Sequence, residues 1–137
     1  MKYLLGTDIA SYFIRGVPEV VANAMREVDH WCISSITYLE LSSGLFQTEN
    51  KLVELAITEF LRDVRVAEFS SNDAFEAGRL LARLKANGTP IGQFDTLIAA
   101  HALSLKLTLV TNNTKHFSKV DGLKLVNWVT SAPSSVA

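Results

Sequence analysis

The chain has 137 residues, of which 48% are hydrophobic and 20% are charged, and its formal net charge is −1. This length and composition predict one globular domain with a substantial core. The nearly neutral charge excludes a simple basic nucleic-acid binder, but not a nuclease whose acidic site offsets basic residues elsewhere.

The sequence shows neither a membrane span nor a signal peptide, so a cytoplasmic location is the default expectation. No apolar run approaches the roughly 18 residues that cross a bilayer. The first residues contain one lysine and a short apolar run without a small-residue cleavage site, so we expect no signal peptide. The single cysteine, Cys32, lies in a strand-like run and is expected to be a buried structural thiol.

Strands and helices alternate along the first half of the chain. In order, we predict a strand at 2–5, a helix at 8–13, a helix from Pro18 through Val28, a strand at 31–33, and a helix capped by Ser34 or Ser35 that ends near Gly44.

The alternation continues in the second half. We predict an amphipathic helix at 50–62 with a stripe of Leu52, Leu55, Ala56, Phe60 and Leu61, a strand within 65–69, a helix at 73–86 closed by Asn87 and Gly88, a loop at 89–92, a helix at 95–105, and strands at 108–111 and 124–126. Residues 1–129 would form the domain and residues 130–137 a flexible tail.

The alternation of short apolar strands with helices predicts an α/β domain with a mainly parallel sheet. Sheets of this kind bind ligands beyond the carboxyl ends of their strands.

Two acidic residues stand out against apolar surroundings. Glu40 is flanked by leucines, and Asp95 begins an apolar helix after a glycine-bearing loop. Taken singly, Glu40 fits a solvated helix residue and Asp95 fits an N-cap or first-turn residue. Taken together, they fit equally well a site for a hard divalent cation, because a buried carboxylate needs a partner or a metal.

Other residues narrow the chemistry. Thr111 and Asn113 follow a predicted strand, where they fit either a turn or a group that holds water or phosphate near a metal. No two histidines have HxxxH or HExxH spacing, so zinc is disfavoured, and no spacing assigns a partner to His116. The motifs of P-loop, dinucleotide-binding and serine hydrolase proteins are absent from the sequence.

Four segments, at residues 4–9, 33–41, 88–102 and 109–117, together resemble the PIN-domain ribonucleases of the VapC toxin type, which belong to bacterial toxin–antitoxin pairs. The resemblance covers nearly the whole chain, and the four segments in this order are highly specific. It implies a three-layer α/β/α PIN-like domain with a mainly parallel central sheet and an endoribonuclease site that depends on Mg²⁺ or Mn²⁺.

The resemblance also implies roles for individual residues. By position, Glu40 and Asp95 match two acidic residues that bind the metal and act in catalysis. Asn113 matches a fourth site position, where Asp or Asn occurs, and Thr111 matches a neighbouring site hydroxyl. The implied cation would orient water for attack on a phosphodiester and neutralise developing charge.

The first site position departs from the family pattern, which is Leu-Asp-Thr followed by Asn or Asp. Gly6 stands where the family has its first metal-binding aspartate. Asp8 is a further candidate ligand if residues 6–8 are extended, since alternate strand residues share a face. If a helix begins at Thr7 instead, which we favour, Asp8 is a first-turn residue stabilised by the dipole. We therefore predict an endoribonuclease whose activity is reduced or lost.

The resemblance implies partners as well. Relatives with this Gly-Thr-Pro-Ile-Gly loop include toxins that cut the anticodon stem-loop of initiator tRNA, so we expect tRNA as the substrate. A VapB-type antitoxin and a homodimer or higher toxin–antitoxin assembly are also implied, and no membrane. The rival interpretation is an inactive PIN scaffold that binds antitoxin, and RNA, without cutting.

Overall fold

The central sheet has five strands, β1 (Tyr3–Leu5), β2 (Trp31–Ser34), β3 (Val66–Ala67), β4 (Thr108–Val110) and β5 (Leu125–Val126). The structure is a computed structural model that describes residues 1–130. In it the strands lie in the order β3-β2-β1-β4-β5, and all four neighbouring pairs are parallel. The predicted parallel sheet is therefore confirmed. The division into a domain at 1–129 and a tail at 130–137 stays a prediction, since residues 131–137 lie outside the described part.

Seven helices connect these strands within residues 1–130: α1 (Thr7–Ile14), α2 (Pro18–Arg26), α3 (Ser35–Gln47), α4 (Lys51–Asp63), α5 (Ser71–Ala86), α6 (Gln93–Leu105) and α7 (Thr114–Phe117). Side-chain hydrogen bonds cap three of them, α3 at the predicted Ser34, α4 at Asn50 and α5 at Ser70. Ser34 accepts from the Ile36 N–H at the start of α3, and Ser70 forms a capping box with Asp73 at the start of α5. No helix in this part of the chain is long and apolar enough to cross a membrane.

Helices cover both faces of the sheet, because successive strand residues point to opposite sides. Leu4 and Leu109 lie in one core cluster with apolar residues of α5 and α6. Leu5 and Val110 lie in a second cluster with residues of α1, α2, α3 and α4. All four side chains are fully buried, and each contributes about 1.5–3 kcal/mol relative to exposure. The two clusters establish the predicted three-layer α/β/α architecture.

Two predicted helix ends are wrong. Helix α2 ends at Arg26, so Val28 lies beyond it and is 55% exposed. Helix α3 continues past Gly44 to Gln47, because Gly44 does not adopt the positive φ with which a glycine ends a helix. A glycine inside a helix costs about 1 kcal/mol, which the packing of α3 outweighs.

The predicted apolar stripe of α4 is wrong in its first half. Leu52 is 79% exposed and Leu55 is 54% exposed, whereas Ile57 is buried and packs beneath the sheet. Phe60 and Leu61 do pack against the core. Helix α4 carries apolar residues on more than one face, and periodicity alone does not show which of them meets the sheet.

Several smaller boundaries also differ. The strand expected within 65–69 is only β3, the strand at 108–111 ends one residue earlier, and α6 begins two residues before Asp95. The short helix α7 has no counterpart among the predicted elements. Cys32 is buried as expected, and burial raises the pKa of its thiol, which keeps it protonated.

Candidate active site

A small cavity opens where the central strands end. Leu5 of β1 is paired with Val110 of β4, so the next residues, Gly6 and Thr111, leave the sheet side by side, and the Gly6 N–H donates to the Val110 carbonyl at 2.8 Å. The cavity has a volume of about 130 Å³ and is lined by Gly6, Thr7, Asp8, Asp95, Ile98, Thr111, Asn113 and Phe117. Most of the predicted site residues therefore meet at the carboxyl edge of the sheet.

Glu40 joins this cavity through Thr7. The Thr7 hydroxyl donates to Glu40 Oε1 at 2.7 Å, and the buried Thr37 hydroxyl lies 3.0 Å from Thr7 Oγ1. Because Thr7 has one hydroxyl hydrogen and gives it to Glu40, Thr37 is the donor in the second contact. Two threonines thus hold one oxygen of Glu40 in place.

Glu40 and Asp95 lie close enough to influence each other electrostatically. Burial, the largest effect, raises the pKa of the Glu40 carboxyl above its ordinary value. The hydrogen bond from Thr7 lowers this pKa, and the negative charge of Asp95 raises it. Two carboxylates that are 55 positions apart in sequence therefore lie near each other in the fold.

Asp95 is in the first turn of α6, whose N-cap is Gly92. Asp95 Oδ2 lies 3.0 Å from His116 Nε2, and the same nitrogen lies 3.0 Å from the Ile91 carbonyl oxygen. The Asp95 side chain remains 43% exposed, which leaves it accessible from the cavity. Asp95 is therefore a first-turn residue, as expected when it is considered by itself. Its carboxylate points toward His116 of α7.

Asp8 occupies space beside Gly6. Its Oδ2 accepts from the Asn112 N–H at 2.9 Å and from the Thr111 hydroxyl at 3.1 Å, and its Oδ1 accepts from the Ile9 N–H at 2.8 Å. Helix α1 begins at Thr7, so Asp8 is a first-turn residue, as favoured from the sequence. Its carboxylate anchors the turn after β4.

Gly6 has little room for a side chain. A Cβ at this position would lie 2.9 Å from Asp8 Oδ1 and 3.1 Å from the Val110 carbonyl oxygen. The first contact requires the Asp8 carboxylate to move, and the second requires a shift of a few tenths of an ångström in the backbone. The carboxylate of Asp8 thus lies against the space that a residue-6 side chain would fill.

Thr111 and Asn113 differ in accessibility. Thr111 is fully buried, and its hydroxyl both donates to Asp8 and accepts from the Asn113 N–H at 3.0 Å. The Asn113 side chain is exposed and makes no capping hydrogen bond to α7, although Asn113 is its N-cap. Both residues line the cavity, Thr111 as a buried residue and Asn113 as a solvent-exposed one.

The carboxylates suit a cation only in part. Within residues 1–130, no three His, Cys, Asp or Glu side chains are grouped so that they could hold a metal ion. Glu40 and Asp95 supply the hard oxygen donors that Mg²⁺ prefers, and Mg²⁺ usually takes one or two protein carboxylates and several waters. Burial is the main cause of the raised Glu40 pKa, and a cation would also offset the smaller contribution from the negative charge of Asp95. The residues fit a two-carboxylate site that lacks a third carboxylate.

Known proteins with this sequence pattern share one family. Residues 3–123 match the family model described as PIN domain. The tRNA(fMet)-specific endonuclease VapC of Shigella flexneri is 35% identical over 130 residues, which cover 93% of this chain and 98% of that protein. Ribonuclease VapC2 of Haemophilus influenzae is 36% identical over 131 residues, which cover 94% and 99%. The chain belongs to the VapC family of PIN-domain ribonucleases.

Solved VapC structures share the fold over nearly their whole length. VapBC2 from Rickettsia felis, bound to a DNA fragment from its promoter, has a TM-score of 0.85 and 36% identity, and the match covers 93% of this chain and 99% of that one. DNA-bound VapBC from Salmonella typhimurium has a TM-score of 0.86 and 32% identity, with 93% and 98% covered. Both are complexes of VapC with its VapB antitoxin.

Sequence reasoning missed two residues that contact the predicted site carboxylates, Thr7 and His116. Thr7 lies within a recognised segment, and a hydroxyl next to the first site position was the available signal for a bond to Glu40. His116 carried no such signal, because its partner Asp95 is 21 positions away and the contact depends on how α7 packs. His101, although on the same helix as Asp95, is buried in the core and bonds to Ser34 instead.

Proposed function

We propose that this chain is the toxin of a VapB–VapC type toxin–antitoxin pair and a Mg²⁺- or Mn²⁺-dependent endoribonuclease. The observation that carries the proposal is that Thr7, which holds Glu40 through a 2.7 Å hydrogen bond, and Asp95 line the same cavity at the carboxyl edge of the sheet. The relatives named as ribonuclease and as tRNA endonuclease support the reaction class.

Each site residue then has a distinct task. Glu40 and Asp95 would hold the cation, which when bound supplies neutralisation of the charge that develops on the phosphodiester. Thr7 orients Glu40 through its hydrogen bond. Thr111 has no free hydroxyl hydrogen to offer a substrate, so it positions Asp8 and the turn, while the Asn113 amide is accessible to bind a phosphate or ribose oxygen.

Gly6 reduces the activity in this proposal. The site has two coupled carboxylates where a third would strengthen the attraction for a divalent cation and orient it. Asp8 is the remaining candidate for the third ligand. Both of its oxygens already accept hydrogen bonds from the protein, so Asp8 would offer a cation only the lone pairs that these donors leave.

Two single variants of Gly6 with side chains of equal size, Gly6→Asp and Gly6→Asn, separate the effect of side-chain charge from that of side-chain shape. Gly6→Asp is expected to raise Mn²⁺-dependent RNA cleavage more than about 100-fold, because even outer residues around a metal contribute 10–100-fold. Gly6→Asn has the same shape without the charge and is expected to stay at the level of the parent. Equal rates for the parent and both variants, measured under matched conditions, contradict the proposal.

The charge of Asp8 is expected to influence how tightly the Gly6→Asp variant binds Mn²⁺. A Cβ at position 6 would lie 2.9 Å from Asp8 Oδ1, so an aspartate there brings a second negative charge near Asp8, and like charges repel. The double variant Gly6→Asp/Asp8→Asn is therefore expected to bind Mn²⁺ more tightly than Gly6→Asp alone, as isothermal titration calorimetry can measure. Weaker binding by the double variant would show that Asp8 itself is a ligand.

Transfer RNA is the proposed substrate, with the anticodon stem-loop of initiator tRNA as the specific target. The support is the 35% identity to a relative named as specific for tRNA(fMet). Gly6→Asp protein incubated with total tRNA, followed by mapping of the cleaved ends, tests the target. Ends dispersed over messenger RNA and absent from tRNA contradict it.

A VapB-type antitoxin is the proposed protein partner, and the toxin is proposed to form a homodimer within the complex. The support is that three solved structures similar to this chain over 93–95% of its length are VapBC complexes. Co-purification with the product of an adjacent short gene tests the first point, and light scattering of the pair tests the second.

The alternative is an inactive PIN scaffold that binds antitoxin and RNA. Gly6 is the observation that favours it, because a site with two carboxylates can fold without holding a cation. Under this alternative, RNA turnover shows no saturable response to Mn²⁺ in the parent or in Gly6→Asp. A saturable response in either one excludes it.

A further inference from the structure

His116 of α7 reaches two acceptors with one nitrogen. Its Nε2 lies 3.0 Å from Asp95 Oδ2 and 3.0 Å from the Ile91 carbonyl oxygen. Both oxygens only accept hydrogen bonds, so Nε2 carries the hydrogen and shares it between them. We infer that His116 is a positioning residue that fixes the Asp95 carboxylate, an inference that rests on the proposed function.

The donor is held firmly by its own helix. Phe117 is 5% exposed and lies in the core, and its ring meets the His116 ring edge-on at 5.2 Å. The Asn113 N–H is fixed on the Thr111 hydroxyl at the start of α7. The His116 side chain is itself only 24% exposed. Its nitrogen is therefore a fixed donor rather than a mobile surface group.

The acceptor needs such a donor. Asp95 is 43% exposed in the first turn of α6, and it has no hydrogen bond to another protein donor among residues 1–130 besides the one from His116. With Oδ2 engaged, Oδ1 is the oxygen left open. Ligating carboxylates are generally hydrogen-bonded by outer groups, whose loss weakens metal binding by about 10–100-fold.

The shared hydrogen also ties three segments together. Ile91 is buried in the loop before α6, Asp95 opens that helix, and His116 belongs to the next segment beyond β4. The His116 side chain thus links the loop, the first turn of α6 and α7. The rival explanation is that His116 only stabilises the packing of α7, in which case its loss lowers stability and leaves Asp95 unaffected.

Two variants of His116 separate these roles. His116→Leu removes the donor at similar size, and His116→Gln restores an N–H donor on the side chain. Both are made in the parent and in Gly6→Asp, with His30→Leu, an exposed histidine away from the cavity, as the control. Free Mn²⁺ measured by electron paramagnetic resonance gives the dissociation constant, and thermal unfolding confirms that each variant is folded.

We expect His116→Leu to weaken Mn²⁺ binding by about 10–100-fold, His116→Gln to recover most of the affinity, and His30→Leu to bind as its parent does. Unchanged binding by His116→Leu, or binding by His116→Gln as weak as that of His116→Leu, overturns the inference. A purely structural role would shift the melting temperature of both variants without this difference in Mn²⁺ affinity.

A metal-free measurement keeps the inference separate from the proposed function. The ¹³C chemical shift of the Asp95 carboxyl is expected to change in His116→Leu and to return toward the parent in His116→Gln. An identical shift in all three proteins overturns the inference. Absence of Mn²⁺ binding in both the parent and Gly6→Asp instead refutes the proposed function, and the carboxyl shift still decides the role of His116.

Discussion

The pKa of the Glu40 carboxyl depends on two neighbours, Thr7 and Asp95, that can be replaced separately. The Thr7 hydroxyl stabilises its charged form, and the charge of Asp95 destabilises it. In metal-free protein, Thr7→Val is therefore expected to raise the Glu40 pKa, and Asp95→Asn is expected to lower it. A ¹³C titration of the Glu40 carboxyl measures both shifts, and shifts of the same sign would contradict the geometry of the site.

His101 is a buried histidine that serves the fold rather than the cavity. Its Nδ1 lies 2.8 Å from Ser34 Oγ, while Nε2 lies 3.5 Å from Asp73 Oδ2, too far for a good hydrogen bond. Burial lowers the His101 pKa, and the charge of Asp73 and the backbone of Glu68 oppose it only in part. The folded state therefore holds His101 neutral where an unfolded chain takes up a proton.

This burial predicts a loss of stability in mild acid. An unfolded histidine is protonated below a pKa of about 6.5, so the free energy of unfolding should fall as the pH drops from 7.5 to 5.5, by at most about 1.4 kcal/mol per pH unit for one proton. Asp73 adds nothing in this window: although burial raises its pKa, bonds from Ser104 and Ser70 lower it overall, so it stays charged in both states.

Urea unfolding at the two pH values measures this loss. The variant His101→Gln carries no proton in either state, so its stability should depend less on pH than that of the parent. An equal pH dependence of the two proteins would assign the effect to another group.

At the scale of elements, two substitutions in α4 show which of its apolar faces packs against the sheet. Ile57→Ala is expected to cost about 2–4 kcal/mol, because it opens a cavity in the core. Leu52→Ala, on the same helix at 79% exposure, should change stability by less than about 0.5 kcal/mol. Urea unfolding compares them, and a larger cost at Leu52 would restore the stripe expected from periodicity.

The elements that sequence predicted well carry local signals. The cap Ser34 of α3 and the closing residues Asn87 and Gly88 of α5 act within a few residues of the chain. Helix α7 was missed because four residues are too short to show a period. The exposed face of α4 was misassigned because burial depends on partners distant in sequence.

At the scale of the whole molecule, the two ends of the described chain meet at Trp128. Its ring is 2% exposed and meets Tyr3 of β1 edge-on at 5.4 Å, and its carbonyl accepts from the Asn23 side chain at 3.1 Å. Trp128→Ala is expected to cost about 3–5 kcal/mol in urea unfolding, and Trp128→Phe clearly less. Equal costs would show that the volume of the ring does not matter there.

The parallel sheet and the convergence of Glu40, Asp95 and Asn113 followed from strand–helix alternation and from the family pattern. The strand order β3-β2-β1-β4-β5 and the bond from His116 to Asp95 did not, since both arise from contacts between segments far apart in the chain. The crowding of Gly6 by Asp8 was also out of reach, because it depends on where α1 begins.

That crowding gives changes at positions 6 and 8 a preferred order. A mutation to aspartate at position 6 meets resistance while Asp8 is retained, and meets less once position 8 has lost its charge. Asp8 Oδ1 is the end of a side chain that can rotate, so little space has to be made there, whereas the Val110 carbonyl oxygen has to give way by a few tenths of an ångström. Because aspartate and asparagine have the same size, the identity of residue 8 changes the charge that an acidic residue 6 meets and leaves the space that it finds the same.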